Sequence, residues 1–286
     1  MNVNMEMQNK PEMKKGNTIP AQNVRVVCPT CKTGELALKS ENEVYCADCN
    51  ASFPVENRVI NLLPGIQSHQ RLVALSMEWN WMARIYETRL WRKNPLFKHT
   101  ILGISFEDEY KTIVQAMDLK GDETLLDLAC GPGMYARPLA RKLNSGIVVG
   151  LDLSIPMLNY TSRQAHSEGL SNTLLIRGNA KDLPFPDNQF DVINCCGALH
   201  LFPEPSVVQG VCRTLKPGGR FTIGVARNPF QSHMMKKFYD YCYSKGWAKA
   251  FPQKELESLL NQGGLTNVTY HYAKRYWFIV SAEKPE

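Results

Sequence analysis

The sequence contains no run of about 18 apolar residues, the length a helix needs to cross a bilayer, so no membrane-spanning segment is expected. Its first residues, MNVNMEMQNKPEMKK, lack an apolar stretch and carry Glu6 and Glu12, unlike a secretory signal or an Arg- and Ser-rich transit peptide. Internal repeats and long low-complexity tracts are missing too, which argues against solenoid and fibrous architectures. Nor is there a strong charge imbalance: 33 Lys and Arg against 27 Asp and Glu leave +6. The excess sits at 66–120 and 227–286, whereas residues 24–65 carry 4 basic and 5 acidic groups. Such a bias permits an anionic substrate or RNA but requires neither. These absences predict a soluble, cytoplasmic protein with no membrane as partner.

What is present is enough for a sizeable core. At 286 residues and 44% hydrophobic content, the chain should hold roughly two folded units of about 150 residues each. Nine cysteines without a signal sequence point to a reducing compartment, where paired cysteines more often bind metal than each other. Cys28-Pro-Thr-Cys31 and Cys46-Ala-Asp-Cys49 form a CxxC…CxxC pattern with fourteen residues between the pairs. Each pair can present two thiolates to one ion, and four close a tetrahedral, structural Zn²⁺ shell. A unit this small also needs the metal to fold. Four unliganded cysteines, or a redox CxxC, are the weaker readings, since neither pair opens a thioredoxin-like helix. Cys130, Cys195, Cys196, Cys212 and Cys242 read by default as small buried hydrophobes.

Along the chain, residues 1–23 are polar and aperiodic, as expected of a disordered tail. Residues 24–65 alternate short β-prone runs with Gly, Asn and Pro, the pattern of small antiparallel strands in a zinc-ribbon unit. Residues 66–120 read as a helical cap, with SMEWNWMARIYETRLWRKN stopped by Asn94-Pro95 and FEDEYKTIVQAMDL closed by Gly121. From 121 to 286, apolar strands (TLLDLA, GIVVGLDL, TLLIRGNA, FDVINCCGA, GGRFTIGVA) alternate with amphipathic helices. That alternation predicts a doubly wound α/β sheet. A helical insertion is expected at about 228–250, then PQKELESLLNQGG as a helix and a terminal hairpin.

Asp127-Leu-Ala-Cys-Gly131-Pro-Gly133 links the first of these strands to a helix, and Asp152 closes the next strand. Glycines let the backbone approach a ligand, and an acidic strand end suits two ribose hydroxyls, the nucleoside-binding arrangement of doubly wound sheets. The turn is not G-x-G-x-x-G, which disfavours a pyrophosphate.

With these residues in place, DLACGPG, GLDLS, RGNAKDLPFPDNQFDVI and LKPGGRF resemble the successive motifs of class I S-adenosylmethionine-dependent methyltransferases. The resemblance implies a Rossmann-like sheet of seven strands. It implies that Asp127 and the backbone at Ala129, Gly131 and Gly133 hold the methionine portion of the cofactor. Asp152 would bind the ribose, with Leu153 and Met157 lining the adenine. Gly178-Asn179-Ala180 occupies the place of a G-D-A triplet, and the Asn179 carbonyl can still accept from the adenine amino group. Cys195, Gly197 and Ala198 match strand-end positions facing the sulfonium. A CxxC unit ending in INLLP is similar to that of rRNA guanine methyltransferases. Across the whole chain, Tyr86, Glu87, Leu90-Trp91-Arg92 and Gly197-Ala198-Leu199-His200 resemble a cyanobacterial and chloroplast group of methyltransferases.

Methyl transfer from a sulfonium is an in-line displacement, so alignment provides most of the acceleration and a base is optional. His200 could remove a proton from the acceptor, or merely orient its loop. Tyr86 could set its ring face against the sulfonium cation. Three functions follow. The leading one is methylation of a small-molecule acceptor beneath the helical caps. The second is an RNA base methyltransferase with the zinc unit as its RNA-binding arm, which the near-neutral charge of 24–65 disfavours. The third is a non-catalytic, cofactor-binding scaffold.

Overall fold

The structure, a computed structural model, describes residues 24–63, 94, 98–230 and 233–286. The helix expected across SMEWNWMARIYETRLWRKN, and Tyr86 with it, lies outside the described residues.

Four short strands come first among the described residues: β1 (Leu36–Ser40), β2 (Glu43–Cys46), β3 (Ser52–Glu56) and β4 (Val59–Asn61). They form an antiparallel meander up to β4. Its last hairpin turns on Asn57 and Arg58, both at positive φ (52° and 64°). Two consecutive left-handed residues are what a two-residue type I′ turn needs to match strand twist. A π-helical turn at Lys98–Leu102 leads to α1 (Phe106–Met117). Ser105 caps α1 by accepting from Asp108 N, and three acidic residues in the first turn complement the helix dipole. The helix closes on Asp118 in the left-handed region, three residues before the expected Gly121.

The alternating region follows the sequence reading closely. It comprises β5 (Thr124–Leu128), α2 (Ala136–Lys142), β6 (Ile147–Asp152), α3 (Ile155–Ser167), β7 (Thr173–Arg177) and β8 (Phe190–Cys196). Then come α4 (Pro205–Thr214), β9 (Leu215–Ala226), α5 (His233–Ser244), α6 (Gln253–Gln262), β10 (Thr266–Lys274) and β11 (Trp277–Glu283). The central strands are apolar on both faces because helices or the N-terminal unit cover both. Leu126, Leu128, Val149 and Leu151 belong to one core; Leu125, Val148 and Leu175 belong to the other.

The expectation of seven strands is corrected. Among the described residues the sheet has eleven, in the order β1-β2-β3-β4-β7-β6-β5-β8-β9-β11-β10. Seven of them, β5 to β11, form the inner doubly wound sheet, with β11 antiparallel to its neighbour β9. The other four are added because β7 is not left as an edge. β4 pairs parallel with it, Val59 opposite Leu175 and Asn61 opposite Arg177. The N-terminal unit therefore continues the same sheet and shares its core, with Val26, Val44 and Phe53 in one cluster with Leu183, Phe185 and Phe190.

Candidate active site and metal cluster

β5, β6, β7, β8 and β9 run parallel, so their carboxyl ends line one edge of the sheet. The described residues that the sequence pointed to for the cofactor, Asp127 to Cys195, lie at or near that edge. After β5 the chain turns through Ala129 (φ 57°), Gly131 (φ 53°) and Gly133 (φ 78°). A Cβ at Gly131 would meet nothing within 4 Å, so the backbone borders open space. A Cβ at Gly133 would sit 2.5 Å from Thr161 Cγ2, which admits only glycine. Thr161 Oγ1 donates to Gly131 O at 2.9 Å and so pins the turn to α3.

Asp152 faces this turn from the end of β6. One carboxylate oxygen accepts from Gly131 N at 2.8 Å and the other from Ser154 N at 2.8 Å. A carboxylate has about four lone-pair sites, so both oxygens can still accept from a diol. Ser154 caps α3 with its side chain on Met157 N, and Met157 itself is buried. The Leu153 carbonyl accepts from Arg177 Nε at 3.1 Å. Arg177 also donates to Leu63 O at 2.8 Å and to Asn61 Oδ1 at 3.4 Å, tying β6, β7 and the N-terminal unit together.

Asp127 lies deeper, 2% exposed. Its Oδ1 accepts from Asn194 Nδ2 at 2.7 Å, and Thr222 Oγ1 in turn donates to Asn194 Oδ1 at 3.3 Å. Its Oδ2 is buried without a hydrogen bond. Burial pushes this carboxyl up to about 7, with Asn194 and, more weakly, the Ala136 backbone N–H opposing and the Asp152 charge adding to the rise. An acceptor atom left over beside an open, glycine-lined turn fits a cationic donor such as an amino group.

Beyond β7, Asn179 Oδ1 accepts from Lys181 N at 3.0 Å, and its carbonyl accepts from Asp182 N at 3.0 Å, so it heads a tight turn with half-buried Ala180 in its middle. Cys195 is fully buried, which raises its thiol well above the ordinary value, whereas the next residue, Cys196, is partly exposed. Gly197 (φ 83°) and Ala198 follow. The half-buried His200 sets its ring edge-on to Trp277, 6.1 Å between centroids, and its carbonyl accepts from Lys249 N.

Sequence reasoning did not find the polar cluster beside this edge. Cys196 Sγ donates to Tyr135 Oη at 3.1 Å and lies 3.8 Å from Glu109 Oε1. Glu109 is itself in a fully buried ion pair with Lys98.

The four cysteines of the N-terminal unit come together. Cys28 and Cys49 Sγ are 3.6 Å apart, Cys31 and Cys46 Sγ 3.7 Å, and all four sulfurs lie within 4.8 Å of one another. Zinc–sulfur bonds of about 2.3 Å in a tetrahedron place sulfurs about 3.8 Å apart. The two knuckles are built alike. Lys32 N donates to Cys28 O and Asn50 N to Cys46 O, each from a left-handed residue (φ 64° and 58°). Backbone N–H groups of Thr33 and Gly34 draw the Cys31 thiol down to about 6, whereas burial and its three cysteine neighbours push Cys49 up to about 12. The cluster can hold a metal ion.

The family profile described as "Methyltransferase domain" matches residues 125–219. A demethylmenaquinone methyltransferase of Bacillus licheniformis is 32% identical over 193 residues, which is 59% of this chain and 82% of that protein. The enzyme of the same name from Bacillus subtilis is 30% identical, over 59% and 83%. The chain belongs to the class I S-adenosylmethionine-dependent methyltransferases. Solved structures share the fold. Phosphoethanolamine N-methyltransferase 2 of Haemonchus contortus, in complex with S-adenosylmethionine, aligns with a TM-score of 0.60 at 16% identity, over 78% of this chain and 61% of that one. The YcgJ protein of Bacillus subtilis aligns at 0.55 and 18%, over 63% and 99%. In this methyltransferase the profile begins inside β5 and ends in β9, so it covers the glycine turn, both strand-end aspartates and His200.

Proposed function

We propose that this methyltransferase acts on a small-molecule acceptor of the quinone kind for which its relatives are named. The carrying observation is the 32% identity to a demethylmenaquinone methyltransferase along 82% of that enzyme. The near-neutral charge of residues 24–65, 4 basic against 5 acidic, supports this over an RNA acceptor.

S-adenosylmethionine, when bound, supplies an electrophilic methyl group on a sulfonium. The residues present fit it. Asp152 would take the ribose hydroxyls, and Asn179 and Ala180 the adenine edge, with Leu153 and Met157 along its face. Ala129, Gly131 and Gly133 would give their backbone to the methionine portion, and the spare oxygen of Asp127 its amino group. Cys195 would contribute through its backbone, because its side chain is buried in the core. His200 would take the proton of the acceptor, with Trp277 fixing its ring plane. Tyr86 is kept as the second candidate against the sulfonium. Cys28, Cys31, Cys46 and Cys49 would hold a structural Zn²⁺ that braces residues 24–65 against the catalytic unit, 121–286, with 66–120 as its cap.

The test is methyl transfer from S-adenosylmethionine to a short-chain demethylmenaquinone, followed by mass spectrometry. Gain of one methyl, lost in Asp152→Ala, is expected. An untouched quinone together with a methylated rRNA or tRNA fragment would overturn the reading.

A further inference from the structure

The inserted helix α5 presents an apolar stripe to solvent. Met234 is 76% exposed, Phe238 54% and Tyr241 61%. At 3.6 residues per turn these three fall on one line, and Lys245 continues it, 5.4 Å above the Tyr241 ring. Phe230 (41%) and Trp247 (65%) flank the two ends of the helix. The opposite side, with Tyr239 and Tyr243, is half-buried. Soluble surfaces scatter single apolar residues but rarely align three large ones with two more beside them.

The charges beside the stripe choose its occupant. Lys237 and Lys245 are exposed next to it, and Asp240, the one acidic residue of the helix, is turned to the side. A second copy of the chain would bring these cations against themselves. Aromatic rings and Met on one face with lysines at its margin suit the boundary between headgroups and acyl chains of an anionic bilayer. No helix among the described residues is long and apolar enough to cross a membrane, so the contact is one of surface.

We propose that α5 and its flanking residues Phe230 and Trp247 dock this methyltransferase on an anionic lipid bilayer. The position of the insert gives the docking a purpose. It leaves β9 at Ala226, on the same edge as the glycine turn. It returns through Lys249, bonded to the His200 carbonyl at 2.8 Å, and through a bridge between Arg227 and Phe251. A bilayer against α5 would therefore lie beside the acceptor side of the site, where a lipid-dissolved acceptor could enter. That last consequence rests on the small-molecule reading above; the docking does not.

The experiment is co-sedimentation of the whole chain with phosphatidylcholine vesicles, with and without phosphatidylglycerol, in the absence of methyl donor and acceptor. The wild type should sediment with the anionic vesicles and be released by salt. Phe238→Ser with Tyr241→Ser should lower the partition coefficient roughly a hundredfold. The melting temperature should stay unchanged, since both side chains are exposed. Lys237→Glu with Lys245→Glu, a variant that leaves the rings in place, should remove the preference for anionic lipid. A wild type that stays in the supernatant, or a double serine variant that sediments equally well, would overturn the proposal. So would serine substitutions that split a dimer while the wild type ignores vesicles.

Discussion

Replacing Asp127 with asparagine should make the ligand-free protein more stable at about pH 8 and leave it unaltered near pH 4. Burial raises this carboxyl from 3.8 to about 7 in the folded chain. Between those values the folded chain holds a proton that the unfolded chain has released. Stability therefore falls as pH rises, and the loss is complete above the folded value. The gap sets a ceiling of roughly 4 kcal/mol, or about 8 °C of melting temperature in a chain of this size. The substituted side chain would keep an oxygen for Asn194 Nδ2 and would carry no charge into the core. The assay is thermal unfolding of both proteins across that pH range. The same substitution should weaken binding of S-adenosylmethionine, because the spare oxygen would no longer carry a negative charge to meet the amino group. Calorimetry in buffers of different ionisation enthalpy should detect a proton released on binding near neutrality in the wild type and none in the variant. A variant that melts at or below the wild type at the alkaline end, or by a margin indifferent to pH, refutes the buried-charge argument.

Asp152→Ala removes the acceptor for Gly131 N and Ser154 N and should weaken cofactor binding at least about tenfold by calorimetry; an unchanged affinity would overturn the ribose assignment. Cys46→Ser should yield protein without stoichiometric zinc by atomic absorption and with a lower melting temperature; full zinc content would refute the four-thiolate site. Lys98→Met strands the buried Glu109 carboxylate and should cost about 3–5 kcal/mol in denaturant unfolding, most of it restored by adding Glu109→Leu. A single variant as stable as the wild type would show that the pair carries no buried charge.

The inner strands were legible because each is a short apolar run between glycines and charged residues, and the cysteine spacing alone marked out the four thiols that come together. The attachment of the N-terminal unit was not. β4 is only Val59, Ile60 and Asn61, too short for any periodicity, and nothing in VIN announces a parallel partner more than a hundred residues away. Asn194 was hidden in an apolar strand whose pattern it interrupts; the one polar residue in the buried stretch VINC was the available sign that it meets Asp127. Thr161 read as one more residue of an amphipathic helix, since its tie to Gly131 exists only once α3 is laid on the sheet. Lys98 and Glu109 failed differently: charged residues in a segment rich in charges look solvated, and only packing makes them a buried pair. Asp152 and the glycine turn stood out in the sequence because backbone geometry and ligand chemistry constrain the same few residues.

The unbroken sheet also settles where its raw hydrogen-bonding margins fall. Its outermost strands are β1, mostly exposed, with Lys39 and a register shift between Leu38 and Ser40, and β10, polar and shifted twice along its length. Such margins discourage strand-to-strand addition between molecules. β7, Thr-Leu-Leu-Ile-Arg, has no such protection and stays covered only because β4 lies along it. A shortened chain beginning after residue 63 would bare that apolar ladder and should be more prone to strand pairing between copies than the whole chain.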